Sequence, residues 1–377
     1  MSEQKVLMND FGRQWDDVRE EALAAVDRVG RSGWYILGQR VRQFEAALGE
    51  FWGLGEAIGV ASGLDAIEIG LRAAGLRPGD RVLTTPLSAF ATTLAIVKAG
   101  GVPVFCDTDE YGLIDLAEAR AALRAMPGIR FFVPVHLYGF PIDPVGLREL
   151  IDEFELICIE DCAQSIGAER DGRPTGVTGV AAATSFYPTK NLGAMGDGGA
   201  LLTGDRALAE RVRMLRDYGQ KAKYQHAEIG WNSRLDELQA ALLGEVFLPR
   251  LAKWTERRAE IARAYLDGWT SGRARPVGRA EGWAPSWHLF PVRLAAGEKA
   301  GFIAALRAAG ILTGEHYPVL IPDQDAMRDV SFACYGDLGR ARRLAEEEVS
   351  LPIHPYMRDA EVGAVLRAVE KWEAATR

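Results

Sequence analysis

The sequence is poor in the features that mark several broad classes of protein. Its four cysteines, Cys106, Cys158, Cys162 and Cys334, form no C-x-x-C pair. Cys158 and Cys162 are four apart, but Cys158 lies in an apolar, strand-like run. That placement suits a buried thiol in a reducing compartment better than a metal ligand or a disulfide. The net charge of −8 is spread over 377 residues with no basic stripe and no block of like charge. This excludes the electrostatic footprint of a nucleic-acid binder. No apolar run is long enough to span a bilayer. The polar, acidic start, MSEQKVLMNDFGRQWDD, lacks the apolar core of a secretory signal. Internal repeats and low-complexity segments are also missing. These absences point to a soluble cytoplasmic protein. With 48% hydrophobic residues, the chain is long enough for one large domain and a smaller one.

Short β-rich runs alternate with helical stretches through the first two thirds. The candidate strands are residues 57–62, 81–86, 102–107, 130–137, 156–161, 181–186 and 199–205. Most are near-continuous apolar runs, as strands covered on both faces read. Helical pieces such as LDAIEIGLRAAG and FATTLAIVKAG fall between them. This alternation predicts a mostly parallel sheet with helices on both faces. RPGD, MPG and DGRPTG supply turns. After about residue 245 the texture changes. LPRLAKWTERRAEIARAYLDGW reads as an amphipathic helix, WHLFPVRLA as a strand, and KAGFIAALRAAG and RDAEVGAVLRAVEKWEAA as helices.

In open α/β sheets, ligands bind beyond the carboxyl ends of the strands. VASGLDAIE puts Ser62 and Gly63 there, TTPLSAFATT puts Phe90, and VPVHLYG puts His136 and Tyr138. CIEDCAQS adds Asp161 and Gln164, and TSFYPTKNLG adds Ser185 and Lys190. Each has an ordinary explanation. A helix opening SGLD is most often just capped by Ser62 or Asp65, although the same amides can hold a phosphate. A lone phenylalanine is more often core than platform. An aspartate at a strand end can pair with an arginine or cap a turn, and a loop lysine is usually solvated. The combination is more specific. Pyridoxal 5′-phosphate needs a lysine amine, a carboxylate opposite its ring nitrogen, donors for a phosphate and a ring face to stack on. Lys190, Asp161, Ser62 with Gly63, and Phe90 supply these.

Motifs of one kind run almost end to end. They include SGWYILGQRVRQFEAALGEFWG (32–53), the run from 63 to 100, PVHLYGFPID (134–143) and IEDCAQSIGA (159–168). SFYPTKNLGAMGDGGALLT (185–203), GWNSRLDELQAALL (230–243), WHLFPVR (287–293), GEHYP (314–318) and LPIHPYM (351–357) follow. In these the chain resembles the DegT/DnrJ/EryC1/StrS sugar aminotransferases, of the aspartate-aminotransferase type. The resemblance implies the pyridoxal-phosphate-dependent transferase fold of type I, an α/β architecture. Residues 1–248 would form a large cofactor-binding domain with a mostly parallel seven-stranded sheet, and 249–377 a smaller α+β domain.

It also implies roles. Lys190 matches the Schiff-base lysine, Asp161 the partner of the pyridinium nitrogen, and Gln164 the residue that bonds the ring hydroxyl. Phe90 matches the stacking aromatic and Ser185 a phosphate-binding hydroxyl. Ser62, Gly63 and Leu64 match the phosphate turn. The commonest pattern has threonine at 64, so Leu64 leaves that contact to backbone amides, Ser62 or another group. Asn232 matches an asparagine that reaches the phosphate of the neighbouring subunit, which implies a homodimer with shared sites. The implied activity moves an amino group from an amino acid, L-glutamate in most of the family, to a nucleotide-linked keto-deoxysugar. It runs by ping-pong chemistry, through a Lys190 aldimine and pyridoxamine 5′-phosphate. NSRLDELQAA and HYP lean toward amination at C3 rather than C4. Candidate sugar contacts are Tyr35, Tyr187, His316 and Tyr317, and Lys221, Lys223 and Tyr224 are candidates for the nucleotide diphosphate. The plain alternative for each is a solvated charge or a packed ring. Two rival functions stay open: other pyridoxal-phosphate chemistry on a sugar or cyclitol, and a sensor that keeps the fold without catalysis.

Overall fold

The computed structural model describes residues 5–278 and 280–375. In chain order the first helices and strands are α1 (Phe11–Ser32), α2 (Gln39–Trp52), β1 (Glu56–Val60), α3 (Gly63–Ala73), β2 (Arg81–Thr84), α4 (Phe90–Lys98), β3 (Val102–Phe105), α5 (Leu116–Ala125), β4 (Phe131–Val133), α6 (Pro144–Phe154) and β5 (Ile157–Asp161). A small hairpin, β6 (Glu169–Arg170) and β7 (Arg173–Pro174), leads to β8 (Ala181–Ser185), β9 (Gly199–Thr203) and α7 (Arg206–Arg216). Then come β10 (Gln220–Ala222), β11 (Gln225–His226), α8 (Glu237–Ala241) and α9 (Leu251–Asp267). The last third holds β12 (Arg275–Pro276), β13 (Trp283–Ala284), β14 (Phe290–Arg293), α10 (Lys299–Ala308), β15 (Ala333–Cys334), α11 (Gly339–Glu347), β16 (Glu348–Leu351) and α12 (Asp359–Ala375).

All seven expected strands form, each within a few residues of its expected bounds. The central sheet nevertheless has eight strands, in the order β1-β9-β8-β5-β4-β2-β3-β15. The eighth, β15, adds Ala333 and Cys334 parallel to β3. Two paired residues are too few to give a strand signal, which is why the sequence pattern passes over the short run VSFACY. Every pairing between β8 and β15 is parallel, and β9 alone runs antiparallel to its neighbours β1 and β8. The carboxyl ends of β1, β2, β4, β5 and β8 therefore share one edge.

Local chemistry fixes the helix starts. Ser62 caps α3 by accepting from Asp65 N–H at 3.1 Å. Asp115, Asp143 and Asp205 cap α5, α6 and α7 in the same manner, with Pro144 at the first position of α6. The expected long helix after residue 248 is α9, but the winding begins at Glu237. Residues 242–247 are overwide and 248–250 tight, around Pro249, with right-handed backbone angles at each junction. Proline has no N–H to give the preceding turn, so the winding loosens there without stopping. Among the described residues no helix is long and apolar enough to cross a membrane. Cys106, Cys158 and Cys162 are buried free thiols, as expected for Cys158, while Cys334 is exposed on β15.

Among the described residues, apolar side chains form three buried clusters. One lies between β8, β9 and the layer of α1, α2 and α8, and another under α3, α4 and α7. The largest runs without a break from Leu83, Val104 and Phe132 in the sheet to Phe290, Val349, Phe302 and Trp372 beyond residue 249. We propose the division into 1–248 and 249–377 as one between two layers that share a core. Polar clasps join them as well. Arg13 of α1 holds Glu361 of α12 with two bonds, of 2.8 and 2.7 Å, and its Nη1 also donates to the Tyr356 carbonyl. That arginine pulls the Glu361 carboxyl down from 4.5 to about 2.

A depressed folded-state value means the clasp stabilises above the unfolded value and loses its effect as pH falls through the folded one. Arg13→Ala should therefore lower the unfolding free energy by about 1–2 kcal/mol at neutral pH. Denaturant titrations across pH should show the gap to wild type closing from 4.5 down to about 2. A gap independent of pH would show that the ion pair is not its source.

Candidate active site

Lys190 sits in the loop joining β8 to β9. The loop is folded on itself: Phe186 N–H donates to Gly198 O, Ala194 N–H to Phe186 O and Lys190 N–H to Tyr187 O, at 2.7–2.8 Å. Phe186, fully buried against Phe44, pins its start. Asn191 pins its middle. Its amide donates to Ser286 O at 2.8 Å, and its oxygen lies 3.1 Å from His288 Nδ1. The Lys190 side chain is half-buried, with its amine at the inner end. Burial pulls that amine down from 10.5 to about 8, and the charge of Asp161 opposes the shift.

Asp161 ends β5 and is buried. Both its oxygens are held: Oδ2 accepts from Thr92 Oγ1 at 2.8 Å and Oδ1 from Ala163 N–H at 3.0 Å. Ser88 Oγ pairs with Thr92 Oγ1 at 2.9 Å behind it. Phe90, half-buried, opens α4 two residues before Thr92, so one helix start presents both a ring and the hydroxyl that steers the carboxylate. Gln164 uses both ends of its amide. Its oxygen accepts from Tyr138 N–H at 2.6 Å, and its nitrogen donates to Tyr317 OH at 3.3 Å.

The turn at Ser62–Leu64 meets the ends of β8 and β9 closely. A Cβ on Gly63 would lie 2.6 Å from Ser185 Cβ, and one on Gly199 would lie 2.3 Å from the Ser62 carbonyl carbon. Only glycine permits either approach. The amides of Gly63 and Leu64 find no acceptor among the described residues. They stand at the positive end of α3, beside the Ser62 and Ser185 hydroxyls, as an anion cradle. Leu64 is half-buried against the cluster under α3, α4 and α7, so this position serves packing here. Ser233 ties the cradle to the chain after β11: it accepts from Ala61 N–H at 3.0 Å and donates to Asp65 at 2.6 Å. The residues present thus fit a phosphorylated pyridine aldehyde: an anion cradle, a ring, an oriented carboxylate and a deep amine.

The structure gathers Ser62, Gly63, Phe90, Asp161, Gln164, Ser185, Lys190 and Tyr317, through direct contacts or shared strand ends. His316 joins them through Tyr138, whose hydroxyl donates to its carbonyl at 2.6 Å. Charge on Lys190 reaches both His316 and His288 and, after burial, helps push each imidazole down, His316 to about 4. Other expected residues lie at the surface of this chain, although Tyr187 belongs to the Lys190 loop and its N–H donates to Ser185 Oγ at 3.2 Å. Asn232 is exposed, Tyr35 and Tyr187 are half-exposed or more, and Lys221, Lys223 and Tyr224 line the β10–β11 hairpin. Thr92, Asn191, Ser286, His288 and Glu348 were not among the expected site residues. A threonine one turn into a helix that starts at a strand end is a usable signal for the first. The others depend on contacts distant in sequence.

Because Asp161 favours the charged amine, removing its charge should lower Lys190 further. In Asp161→Asn, the pH midpoint for acylation of Lys190 in cofactor-free protein, read by mass spectrometry, should fall below about 8. A midpoint unchanged or higher would exclude electrostatic coupling between the two.

Comparisons with known proteins identify the family. A family model described as the DegT/DnrJ/EryC1/StrS aminotransferase family matches residues 16–370. The dTDP-3-amino-3,4,6-trideoxy-alpha-D-glucose transaminase of Streptomyces venezuelae is 41% identical over 371 residues, 98% of this chain and 96% of that protein. A protein of Geobacillus stearothermophilus named pleiotropic regulatory protein is 37% identical over 371 residues, covering 97% and 98%. The crystal structure of S. venezuelae DesV in complex with a ketimine intermediate superimposes with a TM-score of 0.93, at 40% identity and 98% coverage of both chains. The chain belongs to the DegT/DnrJ/EryC1/StrS aminotransferase family.

Proposed function

We propose that this aminotransferase uses pyridoxal 5′-phosphate to move an amino group from L-glutamate to a nucleotide-linked keto-deoxysugar, at C3 in preference to C4. The observation that carries the cofactor is the anion cradle of Ser62, Gly63, Leu64 and Ser185, set at the same sheet edge as the oriented Asp161 carboxylate and the Lys190 loop. The sugar is supported by the Streptomyces relative, whose name describes a 3-amino sugar nucleotide. When bound, the cofactor would supply an aldehyde carbon for amine exchange and a pyridinium ring that withdraws electrons from the reacting carbon.

The chain's own residues would do the rest. The Gly63 and Leu64 amides, with the Ser62 and Ser185 hydroxyls, would hold the phosphate, and Phe90 would supply the ring to stack on. Asp161, oriented by Thr92 and Ala163, keeps the ring nitrogen protonated. Gln164, whose amide nitrogen donates to Tyr317 OH, would bond the ring hydroxyl. Lys190 would hold the cofactor, and its amine, once free, would be the group that moves a proton between two carbons. An amine near 8 is about one-tenth neutral at pH 7, enough to act as a base and still reprotonate. Donor and acceptor use the same place in turn, which makes the kinetics ping-pong.

Asn232 from a second copy of the chain would complete the phosphate site. Support for a second copy comes from Tyr224 and Ile229, 81% and 94% exposed near Asn232. Lys221, Lys223 and Tyr224 of that copy would meet the nucleotide diphosphate, and Tyr35, Tyr187 and His316 the sugar. A regulatory role, the sense of the Geobacillus relative's name, needs binding without turnover.

The test is incubation with glutamate and a panel of nucleotide-linked 3-keto and 4-keto sugars, with products read by mass spectrometry. An amino sugar should form, with 2-oxoglutarate in equal amount. Lys190→Ala should abolish the visible absorbance of the wild-type holoenzyme and lower turnover by at least about a thousandfold. Cofactor binding with no conversion of any amino donor would favour the regulatory role.

A further inference from the structure

Behind His316 lies a hydrogen-bonded chain with no part in the reading above. Glu348 and Ser350 of β16 are fully buried. Glu348 Oε2 accepts from His316 N–H at 2.7 Å, and Ser350 Oγ donates to Glu348 Oε1 at 2.5 Å. The same Ser350 oxygen lies 2.9 Å from His316 Nδ1. The segment carrying His316 is fixed on both sides. Gly314 and Ser350 exchange backbone bonds of 3.0 and 2.8 Å, and Tyr138 OH holds the His316 carbonyl. A Cβ on Gly314 would lie 2.7 Å from His316 Cε1, so the ring is pressed against bare backbone and cannot turn that way. His316 Nε2 has no hydrogen-bond partner among the described residues.

A hydroxyl between a carboxyl and an imidazole can point its proton only one way at a time. With Glu348 ionised, Ser350 donates to the carboxylate and Nδ1–H donates to Ser350, leaving Nε2 with a lone pair. With Glu348 protonated, Oε1–H donates to Ser350 and Ser350 to Nδ1, so Nε2 carries the proton. We infer that Glu348 and Ser350 are positioning residues that set, through His316 Nδ1, whether Nε2 accepts or donates a proton at an oxygen of the acceptor substrate. Donation balances as follows. The Nε2 proton passes to a substrate carbonyl oxygen as nitrogen bonds its carbon, and the C=O π pair becomes the O–H bond. The Ser350 proton moves to Nδ1 and the Glu348 proton to Ser350. The carboxyl ends as carboxylate, and the imidazole is neutral throughout.

The surrounding charges favour a proton stored on Glu348 over one on the ring. Burial, then Lys190, push His316 down to about 4, with Glu315 pulling the other way. Burial lifts Glu348 to about 7, against His316 N–H, Ser350 and Lys299 of α10, with Glu315 adding to the rise. Tyr138 and Tyr317 face Glu348 as neutral phenols, and His288 faces His316 as a neutral ring.

That His316 meets a sugar oxygen rests on the proposed function, whereas the proton chain does not. Nitrogen-15 histidine NMR of the holoenzyme tests the chain directly. From about pH 5.5 to 8.5, His316 should pass from the Nε2–H to the Nδ1–H tautomer with no imidazolium. In Glu348→Gln the amide oxygen should accept from His316 N–H, which turns the NH2 toward Ser350 and should lock the Nε2–H form. In Ser350→Ala the tautomer should no longer follow pH. A single pH-independent tautomer in wild type, or an imidazolium on the acid side, would overturn the proposal, and this titration needs no variant to fold. If an amino sugar is made, Glu348→Gln should also cut kcat for the keto sugar about a hundredfold with KM nearly unchanged. A working switch in a protein that converts no sugar would sink the substrate assignment and leave the chain of protons standing.

Discussion

The site depends on a buried amine facing a buried carboxylate. Desolvation penalises the charged form of Lys190, and the Asp161 charge partly restores it. Neither effect alone gives a usable base. An amine with burial uncompensated would stay neutral and could not return a proton, while one in water would almost never be free at pH 7. Both oxygens of Asp161 are restrained by Thr92 and Ala163, so the restoring charge has a fixed place. Burial of this kind also constrains the neighbours. His288 and His316 lie within reach of the same positive charge and are held neutral, which keeps a second cation from competing with Lys190.

The fold meets this requirement by bringing strand ends together. β1, β8 and β5 deliver the cradle, Ser185 and Asp161 to one edge of the sheet, and the amine follows on the β8–β9 loop. The approach of Ser62 and Gly63 to Ser185 and Gly199 leaves no room for side chains, so α3 starts directly above the loop's origin. The helix dipole and two unpaired amides then face the space where the Lys190 loop folds back. Cradle and amine are thereby placed by the same few backbone contacts.

Much of this was legible because the residues concerned sit where a one-dimensional pattern changes. Lys190, Asp161, Ser185 and Ser62 each follow an apolar run, and a polar residue at such a boundary is seldom there for packing. Gly63 was legible as part of a helix start, though the reason for glycine, the Ser185 Cβ, was not. In sequence Leu64 is a missing hydroxyl, whereas in the fold its side chain packs toward the core. What stayed hidden depends on folding distance. Glu348 and Ser350 look like interior strand residues, and their partner His316 is 32 and 34 positions away. Asn191 reads as a loop asparagine until Ser286 and His288 arrive from 95 and 97 residues further on. β15 carries too few residues to make a period.

The two layers of the chain meet through the site as well as through the shared core. Asn191 links the Lys190 loop to Ser286, whose hydroxyl donates to the Gln164 carbonyl at 3.0 Å. Gln164 then reaches Tyr138 and Tyr317, and Tyr138 reaches His316. One continuous set of hydrogen bonds thus runs from the amine-bearing loop to the segment around residue 316. Such a path rigidifies only while every member is satisfied, since a buried polar group left unpaired costs more than the bond contributes. Movement of the second layer away from the sheet would leave Asn191, the Ser286 hydroxyl and the Gln164 amide nitrogen unpaired together. The polar path therefore acts in concert with the apolar cluster from Leu83 to Trp372. The cluster supplies cohesion without direction, and the bonds fix the register in which Lys190 and His316 face the same space.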